Sequence, residues 1–244
     1  VNMVNFSGTH ELVTSKFYIP ETIAEAERIV ELANSCSQKI RPVGTFLSPN
    51  GIASCPGGML SMAQCDRVIN IDVAKQEITV EAGIIVGEVI TALAPHGLTL
   101  ENFSSIKEQQ MAGWCQVAAH GTGATLSTVD GMITRMSLIT PAKGTLQLSL
   151  DADTSDEREL FRLARCGLGA LGIVGDMTLK CIPAHELYET TTTVKPTDIY
   201  HHHAELLQTH RHVRYMWPPY GDDVIVVVSD KVDPDTKKQP PTSP

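Results

Sequence analysis

The hydrophobic and polar positions along the chain predict helices separated by short strands. Apolar residues from Ile23 to Ala33 recur at helical spacing, and Pro20 stands where a helix can open. The predicted helices run from Pro20 to Asn34, Val86 to Pro95, Asp156 to Arg165 and Ile199 to His210. The stretch from Gln109 to Gly123 has no clear period and is rich in small residues.

Short runs rich in β-branched residues predict the strands. They are Ile40–Val43, Val68–Asp72, Glu77–Glu81, Ile133–Thr140, Thr145–Leu150, Ile173–Ile182, Leu187–Val194, His212–Trp217 and Val224–Ser229. Val68–Asp72 and Glu77–Glu81 form a predicted strand pair. Ile133–Thr140 and Thr145–Leu150 form a predicted hairpin that turns at Lys143-Gly144. A break is predicted near Pro183–Glu186, and the charged, proline-rich segment Asp230–Pro244 is predicted to be a disordered tail.

Composition narrows the functional classes. The 244 residues are 42% hydrophobic and carry a net charge of -9 with no basic run, so nucleic acid is excluded as a partner. We expect no transmembrane segment, because no apolar stretch is long enough to span a bilayer, and no targeting segment is visible after Val1. The 6 cysteines form no C-x-x-C pair, which predicts free thiols in the core rather than zinc ligands or disulfides.

The segment CGLGALGIVG at residues 166–175 contains G-x-G-x-x-G, the fingerprint of dinucleotide-binding loops. That fingerprint requires a strand before the glycines and a helix after them, since the helix N-terminus holds the pyrophosphate. Here a predicted helix precedes the glycines and a strand follows. We therefore expect Gly167, Gly169 and Gly172 to end a helix, pack closely on the strand and make no pyrophosphate contact.

Two other stretches have chemistry suited to phosphate. Residues 41–51, RPVGTFLSPNG, follow a strand and offer turn N–H groups with the hydroxyls of Thr45 and Ser48, either as an anion-binding nest or as an ordinary loop. Residues 112–123, AGWCQVAAHGTG, are small enough to let a flat ligand approach the backbone near His120, although a single histidine is usually structural.

Together these stretches resemble the flavin-binding domain of the vanillyl-alcohol oxidase superfamily and, within it, the aldonolactone oxidoreductases. The resemblance runs from Asn5 to Val228 and rests on NFSGTHE, RPVGTFLSPNGI, GLTLENFSSIKEQQ, QVAAHGTGA, LITPAKGT and ELFRLARCGLGALGIVGDMTLKC. It implies the α+β class, with a two-lobed FAD-binding domain of the PCMH type over residues 1–184. The start of an α+β cap domain over residues 185–229 would follow.

The resemblance also implies where FAD would bind. The pyrophosphate would lie against residues 43–48, and the strand after the glycines would lie against the nucleotide. The implied cofactor-binding residues are Val43, Gly44, Thr45, Phe46, Leu47, Ser48, Ser104, Ser105, Gln109, Gln110, Gly113, His120, Gly121, Thr122, Gly123, Ile173 and Val174.

Two positions refine the implied chemistry. Leu47 stands where some relatives carry the histidine that attaches FAD covalently, so any FAD is expected to be non-covalent. Ser104 stands where family oxidases tend to carry glycine, and its side chain would obstruct oxygen. The resemblance therefore favours a dehydrogenase that passes electrons to an acceptor such as cytochrome c.

Three positions depart from the glycines typical of the family: Phe46, Ala112 and Ala118. Each substitution could narrow the site, because glycine serves where φ is positive or a ligand touches the backbone. Bulky Trp114 stands shortly after Ala112. The phenyl ring of Phe46 is expected to fill part of the nest.

No residue matches a catalytic position of the family, since its acidic and arginine groups come from cap and C-terminal segments that this sequence does not contain. We therefore expect no lactone turnover by this chain alone. Neighbouring histidines on a helix diverge by about 100°, so His201, His202 and His203 predict a solvated face rather than a metal site. Tyr215, Trp217 and Tyr220 are predicted to be packing residues.

Three functions remain open from the sequence. The first is an FAD-dependent aldonolactone dehydrogenase or part of one, with a lactone substrate and cytochrome c as partners. The second is a non-catalytic assembly subunit beside mitochondrial respiratory complex I, and the third a flavin-binding module completed by another chain. By resemblance, the expected location is mitochondrial and associated with the inner membrane.

Overall fold

The computed structural model describes residues 1–232, and residues 233–244 of the predicted tail lie outside the described residues. The helices are α1 (Ile23–Ser35), α2 (Val86–Leu93), α3 (Met111–Gln116), α4 (Ser155–Arg165) and α5 (Pro196–Thr209). The strands are β1 (Asn2–Val4), β2 (Glu11–Val13), β3 (Phe17–Tyr18), β4 (Arg41–Val43), β5 (Met59–Ser61), β6 (Val68–Asp72), β7 (Glu77–Glu81), β8 (Leu98–Thr99), β9 (Ile133–Thr140), β10 (Gly144–Ser149), β11 (Ile173–Lys180), β12 (Ile182–Pro183), β13 (Leu187–Val194), β14 (His212–Met216) and β15 (Val224–Lys231).

The chain forms two compact units. The first comprises residues 1–120 and 127–183, and the second comprises residues 121–126 and the chain from Ala184 onward. The predicted break at Pro183–Glu186 coincides with the point where the chain enters the second unit, but the short segment 121–126 was not expected to belong there. The functional domain boundaries drawn from the resemblance stay a prediction.

The first unit contains a five-stranded antiparallel sheet in the order β10-β9-β11-β7-β6 and a three-stranded parallel sheet in the order β3-β5-β4. The predicted pairing of β6 with β7 and the predicted hairpin of β9 with β10 are confirmed. Trp114 and Phe161 are fully buried in the main core of this unit. A smaller apolar cluster of Val43, Cys55 and Met59 lies beside β4 and β5.

The helix ends follow local side-chain chemistry. The Thr22 hydroxyl accepts the N–H of Glu25 at 3.2 Å, so α1 begins at Ile23 and Pro20 lies before the helix. Thr154 and Glu157 form a capping box at the start of α4. Helix α3 has no side-chain cap at its N-terminus and lies in the stretch that lacked a clear period, so the sequence did not predict it.

The second unit contains a three-stranded antiparallel sheet in the order β13-β15-β14, accompanied by α5. β15 continues through Lys231, pairing Asp230 with Tyr188. The prediction that the tail begins at Asp230 is therefore wrong for Asp230 and Lys231, because the β ladder extends over them. No helix among residues 1–232 is both long and apolar enough to cross a membrane.

Candidate functional site

A cleft in the first unit gathers most of the residues singled out from the sequence. Its volume is about 920 Å³, open mouth included. The lining comprises Arg41–Ser48, Ile52, Ala53, Leu60, Met62, Ala82, Gln109, Gln110, Ala112–Trp114, Gln116, Val117, Leu168, Gly169 and Gly172–Val174. The loop after β4, helix α3 and the start of β11 thus meet around one opening.

The loop after β4 presents unpaired backbone donors to this cleft. Within the described residues, no protein acceptor receives the N–H groups of residues 44–48. Phe46 has a φ of 58°, so the loop turns through a left-handed residue, the kind of backbone that gathers successive N–H groups into an anion-binding nest. Because backbone donors are rarely left without a partner, this loop is suited to a ligand rich in oxygen acceptors.

Small residues keep the backbone of the cleft accessible. A side chain on Gly113 would meet no atom within 4 Å, and one on Gly44 would come to 3.3 Å from the Gln110 side-chain oxygen. Gln110 itself is 7% exposed, and its side-chain amide makes no hydrogen bond with any described residue. The amide can therefore bind a ligand at the entrance to the nest.

A chain of hydrogen bonds connects Ser104 to the cleft. The Trp114 indole N–H donates to the Ser104 hydroxyl at 2.9 Å, and that hydroxyl donates to the Gln109 side-chain oxygen at 2.7 Å. The indole is buried in the core, while Gln109 lines the cleft. Ser104 thus orients Gln109, a role that the sequence did not suggest.

The glycine loop lies between α4 and β11, the helix-before-strand order expected from the sequence. The Gln116 side-chain oxygen accepts the N–H groups of Gly167 at 3.1 Å and Gly169 at 3.2 Å, and the N–H of Ala170 donates to the carbonyl of Gly167 at 2.9 Å. Although Gly169 and Gly172 line the cleft, the donors at Gly167, Gly169 and Ala170 are already paired. That the glycines bind no pyrophosphate stays a prediction, and the pairing of these donors supports it.

Gln116 also binds the end of the preceding helix. Its side-chain nitrogen donates to the carbonyls of Ala164 at 2.7 Å and Arg165 at 3.2 Å. One side chain thereby caps the last turn of α4 and anchors the loop after it. No local pattern indicates this role, because glutamine is common and its partners lie about fifty positions away.

Two of the three departures from glycine occupy left-handed backbone, Phe46 at φ 58° and Ala118 at φ 50°. Ala112 lies inside α3 instead. The ring of Phe46 packs against the apolar cluster of Val43, Cys55 and Met59, and the cleft remains open beside it. Because Phe46 also lines the cleft, the expectation that its ring fills part of the nest stays a prediction.

The remaining residues named from the sequence do not line this cleft. Ser105 and His120 are exposed. Gly121, Thr122 and Gly123 belong to the second unit, where the Thr122 carbonyl accepts the N–H of Val213 at 3.1 Å and Gly123 forms a bridge with His212. The sequence could not reveal this pairing, which joins positions about ninety residues apart.

The first unit contains a buried carboxylate paired with an arginine, and buried thiols with raised pKa values. The Arg67 guanidinium bonds the Glu81 carboxylate at 2.7 and 3.2 Å and lowers the pKa of that buried carboxyl. Burial raises the pKa of the Cys65 thiol to about 11 and raises the pKa of Cys115 still further. These two thiols therefore remain protonated near neutral pH and lack nucleophilic character.

The three consecutive histidines of the second unit lie on helix α5. His201, His202 and His203 lie on the exposed side of α5, as predicted. Among residues 1–232, no group of three or more His, Cys, Asp or Glu side chains is arranged to hold a metal ion.

The aromatic residues near the end of the described chain differ from prediction. Trp217 is 61% exposed and Tyr220 is fully exposed, because both lie in the turn between β14 and β15. The prediction that they are packing residues is wrong. Tyr215 is half-buried and its hydroxyl lies 2.9 Å from Nδ1 of His203.

Comparison with protein families gives two matches. Residues 14–149 match the family described as FAD binding domain, and residues 177–243 match D-arabinono-1,4-lactone oxidase. The chain is 47% identical over 228 residues to the mitochondrial L-galactono-1,4-lactone dehydrogenase of Brassica oleracea, covering 93% of this chain and 37% of that protein. It is 29% identical to the L-gulonolactone oxidase of Bos taurus, covering 100% of this chain and 53% of that protein.

Solved structures with similar folds include two proteins of low sequence identity to this chain. Cholesterol oxidase from Brevibacterium sterolicum superposes with a TM-score of 0.80 at 14% identity, covering 97% of this chain and 49% of that chain. Alkyldihydroxyacetonephosphate synthase gives a TM-score of 0.75 at 16% identity, covering 88% and 46%. The likeness establishes the fold, and the chain spans between about a third and a half of the length of these relatives.

Proposed function

The chain belongs to the FAD binding domain family and, within it, to the aldonolactone oxidoreductases, and from this premise we propose that its cleft binds FAD for the oxidation of an aldonolactone. The observation that carries the proposal is the loop at residues 44–48, which lines the cleft and whose N–H groups have no acceptor in the described part of the chain. A pyrophosphate supplies the anionic oxygens that such donors require. The FAD assignment therefore agrees with both the family and the backbone.

The residues present fit the cofactor. Gly44 and Gly113 leave the backbone open, and the free amide of Gln110 lies beside the nest. The apolar side chains of Leu47, Ile173 and Val174 line the same cleft and would exclude water from the nucleotide. Leu47 offers no nucleophile, so these contacts would hold FAD without a covalent bond.

When bound, FAD would accept the hydride removed from the lactone. The part of the chain described by the structure would bind and orient the cofactor, and Gln109, fixed through Ser104 and Trp114, would define one wall. We assign no catalytic acid or base among these residues.

The electron acceptor and the cellular location are further parts of the proposal. The plant relatives are named mitochondrial lactone dehydrogenases, which supports a mitochondrial location and an acceptor such as cytochrome c. An association with the inner membrane and an assembly role beside respiratory complex I stay predictions. No contact within residues 1–232 bears on either of them.

FAD binding can be tested with a substitution that leaves the fold intact. Gly113 lies in α3 and its missing side chain would meet no atom, so Gly113→Leu adds bulk to the cleft while improving helix propensity. We expect this variant to unfold at a higher temperature than the unmodified chain, yet to bind FAD roughly tenfold more weakly, a change of about 1.4 kcal/mol.

The matched control is Gly87→Ala in α2, where the nearest atom is an ordinary 3.5 Å away and the cleft is not involved. FAD titration would be followed by quenching of flavin fluorescence. Equal FAD affinity in the unmodified chain and Gly113→Leu, or no binding by the unmodified chain, would contradict the proposal.

A further inference from the structure

The segment NFSGTH at residues 5–10 forms a turn between β1 and β2 that lies directly on the loop after β4. The N–H of Phe6 donates to the Phe46 carbonyl at 3.0 Å, and the Asn5 side-chain nitrogen donates to the Ser48 carbonyl at 3.1 Å. The hydroxyls of Ser7 and Thr9 each lie 3.0 Å from the Pro49 carbonyl. The carbonyl side of the loop is thus occupied by one short turn.

Asn5 is the residue that makes this turn rigid. It is 6% exposed, and its side-chain oxygen accepts the N–H groups of Thr9 and His10, each at 3.0 Å. Its backbone N–H donates to the His10 carbonyl at 3.0 Å. With the oxygen held in this way, the side-chain nitrogen points at Ser48, and the amide bridges the turn and the loop.

The planarity of the peptide bond transmits this contact to the other side of the loop. In a trans peptide the C=O and the following N–H point in opposite directions. The carbonyl of Phe46 is fixed towards Phe6, so the N–H of Leu47 is directed away from the turn. The Ser48 carbonyl precedes Pro49, which has no N–H, so the bond from Asn5 to Ser48 fixes the course of the loop without directing a donor.

The close approach is also built into the far end of the loop. A Cβ atom on Gly51 would lie 2.7 Å from the His10 ring, a distance that real side chains do not adopt. Glycine at this position therefore lets the turn come close enough to bond the loop carbonyls.

We propose that the NFSGTH turn is a positioning device for the pyrophosphate nest, with Asn5 as its central positioning residue. The proposal rests on the proposed function for the identity of the ligand, but not for the geometry of the loop. The turn binds the carbonyls of Phe46, Ser48 and Pro49, so the left-handed Phe46 and the Leu47 N–H that follows it are already arranged before a ligand arrives. Such preorganisation increases affinity because less order must be imposed on binding.

The test uses Asn5→Asp, which keeps the oxygen that accepts from Thr9 and His10 but replaces the nitrogen that donates to the Ser48 carbonyl and, within the turn, to the hydroxyls of Ser7 and Thr9. The matched control is Asn70→Asp on exposed β6. We expect the Asn5 variant to bind FAD roughly tenfold more weakly and to bind riboflavin, which lacks the diphosphate, unchanged. We expect Asn70→Asp to match the unmodified chain with both ligands.

A second measurement needs no flavin. In the ¹⁵N-labelled chain, the heteronuclear NOE of the Phe46, Leu47 and Ser48 amides should fall in Asn5→Asp, and their chemical-shift response to inorganic pyrophosphate should weaken. Gly51→Ala, which forces the turn away through His10, should act in the same direction if the Asn5 variant does not fold.

The outcomes separate the two proposals. If the unmodified chain binds no FAD but the amide NOE values fall as expected, the proposed function fails and the positioning role stands. Unchanged NOE values in folded Asn5→Asp, unchanged FAD affinity, or an equal loss for FAD and riboflavin would overturn the positioning role.

Discussion

The side-chain oxygen of Gln116 accepts the backbone N–H of Gly169 at 3.2 Å, joining helix α3 to the glycine loop. Gly169 in turn has a φ of 70° and lies against Pro42, the residue in the middle of β4. Both Pro42 and Gly169 line the cleft. One wall of the candidate cofactor site therefore depends on hydrogen bonds from a residue that need not touch the cofactor.

Replacement of Gln116 by leucine should destabilise the first unit. Gln116→Leu leaves the half-buried N–H groups of Gly167 and Gly169 without an acceptor, and the loss of both hydrogen bonds costs about 1–3 kcal/mol, at roughly 0.5–1.5 kcal/mol each. We expect the free energy of unfolding in urea to fall by that amount. The exposed Gln147→Leu serves as the control, and equal stability of the two variants would contradict the role assigned to Gln116.

Gly169→Ala should be more harmful than Gly97→Ala, although both glycines have positive φ, 70° and 66°. A Cβ atom on Gly169 would lie 2.5 Å from Pro42 Cγ, whereas one on Gly97 would meet nothing within 4 Å. Overpacking of this kind costs about 1–3 kcal/mol beyond the backbone penalty that the two variants share. Thermal unfolding measures the difference, and only Gly169→Ala should also weaken FAD binding.

The sequence predicted the four longer helices and the longer strands, but not α3, because each of the predicted elements is coded by local spacing. The strand pair β6–β7 and the hairpin β9–β10 follow from alternation and from the turn at Lys143-Gly144. The order of helix, glycine loop and strand likewise followed from local pattern. It was enough to reject a Rossmann loop at CGLGALGIVG.

Features that depend on distant contacts could not be predicted in this way. The two-residue strand β3 pairs with β5, about forty positions later, and carries no periodicity of its own. Left-handed backbone at Phe46 has no signal in a residue that usually avoids it. The loop at residues 41–51 was named from its own residues as a nest or an ordinary loop, whereas Gln109, Gln110, Ile173 and Val174 were named only because the family resemblance implied them.

Glycine should be more stabilising than alanine at a left-handed position and less stabilising than alanine at a helical one. Phe46→Gly and Phe46→Ala both lose the ring, but only alanine keeps the cost of positive φ, which is about 1–2 kcal/mol. We therefore expect the glycine variant to be the more stable of the two in urea unfolding. In α1 the exposed Glu31→Gly and Glu31→Ala should show the opposite order.

The same argument applies to Ala118, which has a φ of 50°. Ala118→Gly should stabilise the protein, by up to about 1 kcal/mol, whereas Ala112→Gly inside α3 should destabilise it by about 0.5–1 kcal/mol. Differential scanning calorimetry of the two variants gives the signs directly. A loss of stability in Ala118→Gly would count against strain at this position.

Stability should depend on pH through Glu81. Its pKa is lowered in the folded state by the hydrogen bonds from Arg67, so the ion pair contributes stability above the unfolded pKa of about 4.3. That contribution is lost as the pH falls through the lower, folded pKa. We expect Glu81→Gln to be less stable than the unmodified chain at pH 7.

The gap in unfolding free energy between the unmodified chain and Glu81→Gln should narrow as the pH falls below about 4. Urea unfolding at a series of pH values measures this gap. Glu77→Gln, on the same strand, should show no comparable change in the gap. A gap that stays constant from pH 7 to strongly acidic conditions would show that the Glu81 charge is not the cause.

Bound FAD should leave the protein on denaturation. Leu47 lines the cleft and has no nucleophilic atom, so the cofactor would be held by hydrogen bonds and packing alone. After treatment with guanidinium chloride and ultrafiltration, the yellow colour should pass into the filtrate. Flavin absorbance retained with the polypeptide would contradict non-covalent binding.

The chain passes between its two compact units at residues 120–121, 126–127 and 183–184 rather than at one linker. The segment 121–126 pairs with β14 through Thr122 and Gly123, far from its neighbours in sequence. A chimera that exchanged the second unit between relatives at Pro183 alone would separate this segment from the strand with which it pairs. Recombination that preserves the structure must transfer residues 121–126 together with the chain after Pro183.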